Sequence, residues 1–482
     1  MKTVFAKSSP GRRGVLPDAP VSQASDHLPQ DLLRAAPARL PELSELDVVR
    51  HFTELSRKNY GVDGNFYPLG SCTMKYNPKF TEAIAALPGF AALHPLAAQL
   101  KGAGHYTQGA LEVMYETERL LCEITGMHAF TLHPMAGAHG ELTGVMLIAA
   151  YHKDKGNRKT KVICPDSAHG TNPASASLAG FEVVNIASRD GIIDPAALAE
   201  AMDDEVAALM MTCPNTLGLF ECHLEEIVAL CRKHDCLLYY DGANLNAIMG
   251  KMRVGDVGFD VVHLNLHKTF ATPHGGGGPG SGPVGVSQRL VDFLPISRVV
   301  KLRDGRFHLD YDYPKSIGYM APFYGNFGVV LKAYAYILRL GREGLIRVSE
   351  NAVLAANYLR KRLEEHLCIP FNRICMHEFV ASAAGQAEDG VRALDIAKAL
   401  LDKGHHAPTI YFPLIVKECL MFEPTETESK ETLDRFVDDL IAIVEQAKTD
   451  PDAVHAAPIH TPVGRLDETR AARSMVLTDD ME

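Results

Sequence analysis

Two apolar, β-prone runs near the middle of the chain each lead to a charged residue at their C-terminal end. Cys236-Leu237-Leu238-Tyr239-Tyr240 runs into Asp241, and the run from Phe259 to Leu266 runs on to Lys268. The interval between the two charges is long enough for one crossover helix, so neighbouring parallel strands are expected. Open α/β sheets bind their ligands at the carboxyl ends of such strands. The alternation extends in both directions. Strands are expected at Ala129–Leu132, Lys161–Cys164, Glu182–Ile186, Val206–Cys213, Cys236–Asp241, Phe259–Leu266 and Pro283–Ser287. Leu111, Met114, Tyr115, Leu121 and Cys122 share one helical face that stops at Gly126. A second helix opens at Ala136-Gly137-Ala138-His139-Gly140-Glu141 and runs to Tyr151. Strands alternating with helices predict an α/β fold around a large, mostly parallel sheet covered on both faces.

Beyond residue 325 the pattern changes. Two helical stretches, Gly328–Leu340 and Leu345–His366, lead to a smaller C-terminal α/β unit. Its expected strands are His377–Ser382 and Thr409–Val416, and its expected helices Val391–Lys403 and Ser429–Ala447. The first residues are rich in Pro, Arg and Ser, with one helical piece at Leu43–Tyr60, and read as an arm. The last stretch contains Pro and Arg and reads as extended. The expected organisation is an arm over 1–65, a large domain over 66–325, a small domain over 326–450 and a tail over 451–482.

Bulk properties exclude several functions. With 482 residues the chain exceeds one small core, and a net charge of −11 without a basic stripe argues against nucleic acid or an anionic membrane. The apolar stretch Val145–Tyr151 is too short to span a bilayer. The N-terminus lacks the apolar core of a secretory leader. Ten cysteines include no C-x-x-C pair, which reads as reduced thiols in a cytosol-like compartment.

A lysine facing an acid at strand tips suits pyridoxal 5'-phosphate. The lysine forms the Schiff base, and the acid keeps the pyridine nitrogen protonated so that the ring accepts electrons. A lone Asp or Lys at a strand end is commonly a solvated loop residue, but the run Gly275-Gly276-Gly277-Gly278 after Lys268 sacrifices backbone order and calls for a close backbone approach. The order of residues excludes a nucleotide P-loop. The small residues Ala136, Gly137 and Ala138, with His139, suit a helix N-terminus that holds a phosphate dianion. In Ser167-Ala168-His169-Gly170-Thr171-Asn172-Pro173, His169 is placed to stack on a pyridine ring; a hydrogen-bonded loop histidine is the plainer alternative. Thr212 and Asn215 sit at a further strand tip, Asn215 within reach of a phenolic oxygen. His263 and His267, four apart on a strand, stand too far from each other for one metal ion, and spacing offers no third ligand. No arginine stands out for a substrate carboxylate.

Together with Gly70-Ser71-Cys72-Thr73-Met74-Lys75-Tyr76-Asn77-Pro78 and Glu423-Pro424-Thr425-Glu426-Thr427-Glu428-Ser429, these segments resemble the P-protein family of glycine decarboxylases, and within it the bacterial subunit 2 of the split form. The resemblance runs from Pro10-Gly11-Arg12-Arg13 to Leu466-Asp467-Glu468-Thr469-Arg470. It implies a fold-type I pyridoxal-phosphate enzyme of the glycine cleavage system in the cytoplasm. It also implies a subunit 1 partner in an α2β2 heterotetramer, and transfer of an aminomethyl group to the lipoyl arm of H-protein with release of CO2. Carried onto this chain, Lys268, Asp241 and His169 are catalytic, and Ala136–His139 with His267 anchor the phosphate. Ala271 stands where some members carry a cysteine, so no thiol chemistry is expected there. The Asp241-Gly242-Ala243-Asn244 wording differs from a commoner Asp-Ala-Ala pattern but keeps the acid. An aminotransferase or lyase of the same fold, or a non-catalytic scaffold, are the alternatives.

Overall fold

The computed structural model of the chain describes residues 2–15, 27–36, 38–102, 104–168 and 170–476. They fall into two units: Met1–Gly61 with Ala456–Glu482, and Val62–His455. In the first unit, helix α1 (Glu45–Ser56) begins where the Ser44 hydroxyl accepts from Asp47 N at 3.2 Å. It is shorter at both ends than the expected Leu43–Tyr60. The end of the chain is not uniformly extended either, since Pro451–Ala456 and Glu468–Arg473 are helical. The Asp467 side chain caps the second of these by accepting from Arg470 N.

The second unit is built on a seven-stranded sheet. Its strands are β1 (Ala129–Thr131), β2 (Lys161–Pro165), β3 (Glu182–Ile186), β4 (Val206–Thr212), β5 (Leu237–Gly242), β6 (Val261–Leu264) and β7 (Val284–Val286). They lie in the order β1-β7-β6-β5-β4-β2-β3. The run from β3 to β6 is parallel, and β7 is antiparallel to both β6 and β1. Successive residues alternate between two cores. Leu238, Tyr240, Val262 and Leu264 pack in one, and Leu237, Tyr239 and Val261 in the other. A strand buried on both faces favours apolar side chains at successive positions, which is why these runs are largely continuous rather than alternating. The helices that cover the sheet include α2 (Gln108–Thr125), α3 (Gly137–Asp154), α4 (Thr171–Leu178) and α5 (Leu224–Lys233). Helix α2 stops at Gly126, whose φ of 77° is the left-handed conformation that ends helices.

Strand β6 is shorter than the expected Phe259–Leu266. It ends at Leu264, and Leu266–Thr269 forms a single helical turn in which Lys268 N donates to Asn265 O at 3.0 Å. Lys268 is therefore carried on a turn beyond the strand rather than on the strand.

Helix α6 spans Phe327–Leu363 with a break at Gly341 (φ 61°, ψ −174°), between the two stretches read as separate helices. It leads to a three-stranded antiparallel sheet of β8 (Phe379–Ser382), β9 (Thr409–Ile410) and β10 (Cys419–Phe422), ordered β8-β10-β9. The expected strand Thr409–Val416 stops at Ile410 because Tyr411 adopts a φ of 58° and turns the chain. Strand β10 was not anticipated. Helices α7 (Ala393–Asp402) and α8 (Lys430–Thr449) pack beside it, the latter started by Ser429 accepting from Thr432 N. The segment before α2 is laced to this sheet: Leu69 bridges Phe422, and Thr409 Oγ1 donates to Gly70 O at 2.8 Å. Among the described residues no helix is long and apolar enough to cross a membrane.

Candidate active site

The carboxyl ends of β4, β5 and β6 open into a cavity of about 240 Å³ lined by Thr212, Asp241, Ala243, Asn244, Asn265, His267 and Lys268, with Gly137, Ala138 and Glu141 from α3. Asp241 ends β5 almost fully buried. Its carboxylate accepts from Asn172 Nδ2 at 3.2 Å, Thr212 Oγ1 at 3.1 Å and Ala243 N at 3.0 Å. His263 Nε2 lies 3.2 Å from Oδ1, the oxygen that Ala243 N also contacts, without hydrogen-bond geometry, and the Tyr239 hydroxyl is 2.9 Å from His263 Nδ1. Donors such as Asn172 Nδ2, Thr212 Oγ1 and Ala243 N favour the charged form of an acid.

Lys268 enters the same cavity from its helical turn. Opposite, α3 begins without a side-chain cap, because its N-cap is Ala136. An uncapped helix of this length presents amide donors and the positive end of its dipole. The turn is packed so closely that glycine is required. A Cβ on Gly282 would lie 2.0 Å from Ala136 O, and one on Gly137 would lie 2.5 Å from Asn265 Oδ1. Behind it, burial and then the neighbouring His274 and Lys268 push the His267 imidazole down to about 3, so it is neutral. His267 Nδ1 and Asn265 Oδ1 are buried with no hydrogen-bond partner among the described residues.

Several groups at the site escaped the sequence reading. Glu141, one turn into α3, accepts from Thr171 Oγ1 at 2.9 Å, and its carboxyl is pushed up to about 7 by burial and then by Asp241. With Asp241 and His263 it places three possible metal ligands within 4.8 Å of one another, a grouping that spacing along the chain could not reveal because Glu141 arrives from a helix. A second trio, His377, Glu378 and Glu423, is fully buried, with His377 Nε2 at 3.8 Å from each carboxylate. Burial, then Glu423, raises the Glu378 carboxyl; burial raises that of Glu423 to about 7. Ser71 N donates to Glu378 at 2.7 Å, and Ser71 lines the cavity.

Of the residues singled out from sequence, Lys268, Asp241, Thr212, Gly137, Ala138 and His267 come together on one cavity, with Ala136 as the cap of its helix. His139 turns its Nδ1 to Met135 N at 3.2 Å instead. Asn215 is occupied in its own loop: Nδ2 donates to Gly191 O at 2.6 Å, and Oδ1 accepts from Leu217 N and Leu219 N. It is not among the residues lining the cavity. His169 lies outside the described residues. Asn172, by contrast, had a usable signal, since it sits two residues into the helix that follows the His169 loop.

A lysine on a turn after one strand, an acid at the tip of the next and a glycine-packed helix N-terminus define the class of fold-type I pyridoxal-phosphate enzymes. Solved structures agree on the fold. Glycine decarboxylase (P-protein) in inhibitor-bound form superposes with a TM-score of 0.72 at 21% identity, covering 87% of this chain and 94% of that one. A Lactobacillus brevis glutamate decarboxylase does so at 0.64 and 13% identity, covering 93% and 98%. A family model described as glycine cleavage system P-protein matches residues 22–305, and one described as glycine dehydrogenase, C-terminal domain, matches residues 348–457. Proteins called probable glycine dehydrogenase (decarboxylating) subunit 2 are 58% identical in Caldanaerobacter subterraneus subsp. tengcongensis and 59% in Kosmotoga olearia, each over 98% of both chains. The chain belongs to the glycine dehydrogenase (decarboxylating) subunit 2 family of P-proteins.

Proposed function

We propose that this chain binds pyridoxal 5'-phosphate at Lys268 and decarboxylates glycine as subunit 2 of a two-chain P-protein in the cytoplasm. Its partners in this reading are subunit 1, in an α2β2 heterotetramer, and the lipoyl arm of H-protein, which receives the aminomethyl group as CO2 leaves. The observation that carries the reading is the convergence of Lys268, Asp241 and the uncapped start of α3 on one cavity.

The residues fit the cofactor on three grounds. Among the described residues, buried polar atoms at His267 and Asn265 lack a partner and Lys268 forms no ion pair, and the glycines at 137 and 282 let the helix start close on Asn265 where a Cβ could not. Pyridoxal phosphate, when bound, supplies an electron sink for the pair released as the bond to the carboxylate breaks. Lys268 offers the amine for covalent attachment. Asp241, held by Asn172, Thr212 and Ala243 N, keeps a proton on the pyridine nitrogen. Burial and Asp241 raise the Glu141 carboxyl to about 7, which lessens the second charge it places beside Asp241. Ala136, Gly137 and Ala138 offer main-chain donors to the phosphate, and the ring-stacking role given to His169 rests on its sequence position after β2 alone. In this reading residues 66–325 form the cofactor domain and 326–450 the smaller domain, with an arm over 1–65 and a tail over 451–482.

Borohydride reduction of protein incubated with the cofactor, followed by peptide mapping, should place a stable adduct on Lys268, and Lys268→Ala should take none. With subunit 1 and lipoylated H-protein present, the parent chain should exchange the glycine carboxyl with labelled bicarbonate. Transamination without exchange would redirect the assignment to another activity of the same fold, and absence of any adduct would leave a scaffold subunit.

A further inference from the structure

Lys75 belongs to Gly70-Ser71-Cys72-Thr73-Met74-Lys75, a segment that lines the cavity through Ser71 and has no role in the chemistry above. Its ammonium is nonetheless buried and fully engaged. Nζ donates to Thr269 O at 2.7 Å, Asn246 Oδ1 at 2.9 Å and Glu426 Oε1 at 2.7 Å, with the Tyr336 hydroxyl at 3.4 Å and its ring centre at 5.4 Å. An ammonium has three protons, and the three short bonds use them all. Asn246 closes a ring by donating Nδ2 to Glu426 Oε2 at 3.3 Å.

The tethered groups come from four separate parts of the fold. Thr269 follows Lys268 directly in its helical turn. Asn246 stands in the turn that follows Asp241 and β5. Glu426 lies just past β10 of the small sheet, and Tyr336 is on α6. The segment holding Lys75 is itself pinned, since Thr73 donates N and Oγ1 to Glu423 at 2.8 and 2.6 Å. Asn77 Nδ2 adds a bond to Ala271 O at 3.0 Å further along the Lys268 loop. A buried ion pair is a poor stabiliser beside an apolar pair of the same volume, because both charges give up water. What such a pair supplies is direction: a small cation with three bonded partners fixes their mutual distances.

We propose that Lys75 is the positioning residue of the Lys268 turn, setting where the amine of Lys268 stands relative to Asp241 and tying both to the Glu426 loop. It touches neither substrate nor cofactor and acts only through Thr269 and Asn246. The inference rests on the reading of Lys268 as the cofactor lysine, and the test separates the two.

The test uses the full chain with pyridoxal phosphate, and subunit 1 with H-protein for turnover. Lys75→Met alone would strand the buried Glu426 charge, so the informative variant is the double Lys75→Met, Glu426→Gln, which removes both charges and keeps an acceptor for Asn246. The expected result is an adduct still on Lys268 after borohydride. The pH midpoint of the bound cofactor's visible absorbance should move by about one unit. The turnover number should fall roughly 10- to 100-fold while KM for glycine changes less than about threefold, the signature of misplaced reacting groups. Glu426→Asp, which keeps the pair but shortens one tether, should lie between parent and double variant; Asn246→Ala, which cuts a single tether, should shift the same midpoint if the double variant does not fold. Parent-like turnover and midpoint in a folded double variant would overturn the proposal and leave Lys75 a structural residue. Failure of the parent chain to be labelled at Lys268 would instead overturn the cofactor reading.

Discussion

Replacing Asp241 with Asn removes one charge and almost no volume, and the surroundings can absorb the change. Asn172 Oδ1 is buried without a partner. By turning its amide over, Asn172 can accept from the new Nδ2 at the place where it now donates to the carboxylate at 3.2 Å. The Thr212 hydroxyl, 3.1 Å away, accepts after rotation, while the carboxamide oxygen keeps the Ala243 N–H at 3.0 Å. The fold should therefore lose no more than about 1–2 kcal/mol, the worth of a hydrogen bond rearranged rather than abandoned. What disappears is the charge that holds a proton on the pyridine nitrogen. An opposite charge in contact shifts such a group by about two to three units, which is roughly 3–4 kcal/mol at 1.36 kcal/mol per unit. If the decarboxylating step depends on that proton, turnover should fall about 10²- to 10³-fold. The assay is glycine–bicarbonate exchange at saturating glycine, beside a thermal melt in the presence of the cofactor. Exchange within about threefold of the parent would refute the role given to Asp241. A variant that loses its fold would show the carboxylate to be structural.

Two further perturbations read other parts of the site. In Gly282→Ala the new Cβ falls 2.0 Å from the Ala136 carbonyl, a backbone contact that no rotamer relieves. A loss of about 1–3 kcal/mol is expected, and the rise in melting temperature on adding cofactor should shrink because the cap of α3 moves; an unchanged rise would refute the cradle. The Glu423 carboxyl is raised from 4.5 to about 7, chiefly by burial. Between those values the folded chain holds a proton that the unfolded chain has released, so Glu423's contribution to stability falls as pH rises through this window and levels off above it. Glu423→Gln removes that slope, up to about 1.4 kcal/mol per pH unit. Its stability relative to the parent, measured by urea unfolding, should improve from pH 5 to pH 8; parallel behaviour at the two pH values would show that Glu423 does not titrate there.

Asp241 was readable from the chain because it follows an apolar run and Lys268 because it lies a few residues past another, and strand tips are where such sheets place ligands. Glycines 137 and 140 were readable as a tight turn, though the atoms that demand glycine, in Gly282 and Asn265, were not. Asn215 misled because an amide at a strand tip looks available until its loop closes on it. Strand β10 lies outside the expected strands, and the expected Thr409–Val416 is cut short by the turn at Tyr411.

Side-chain periodicity and the punctuation of helix starts are local, so the sequence by itself determined the layered α/β plan and which strand ends open on one cavity. Contacts between residues hundreds of positions apart are not local. Only the tertiary structure decided that Glu141 stands behind Asp241, that Glu378 braces Ser71, and that Lys75 ties Thr269 to Glu426. The reason is physical: a buried charge keeps its state through whatever neighbours the fold brings within a few ångströms, and no pattern along the chain records them.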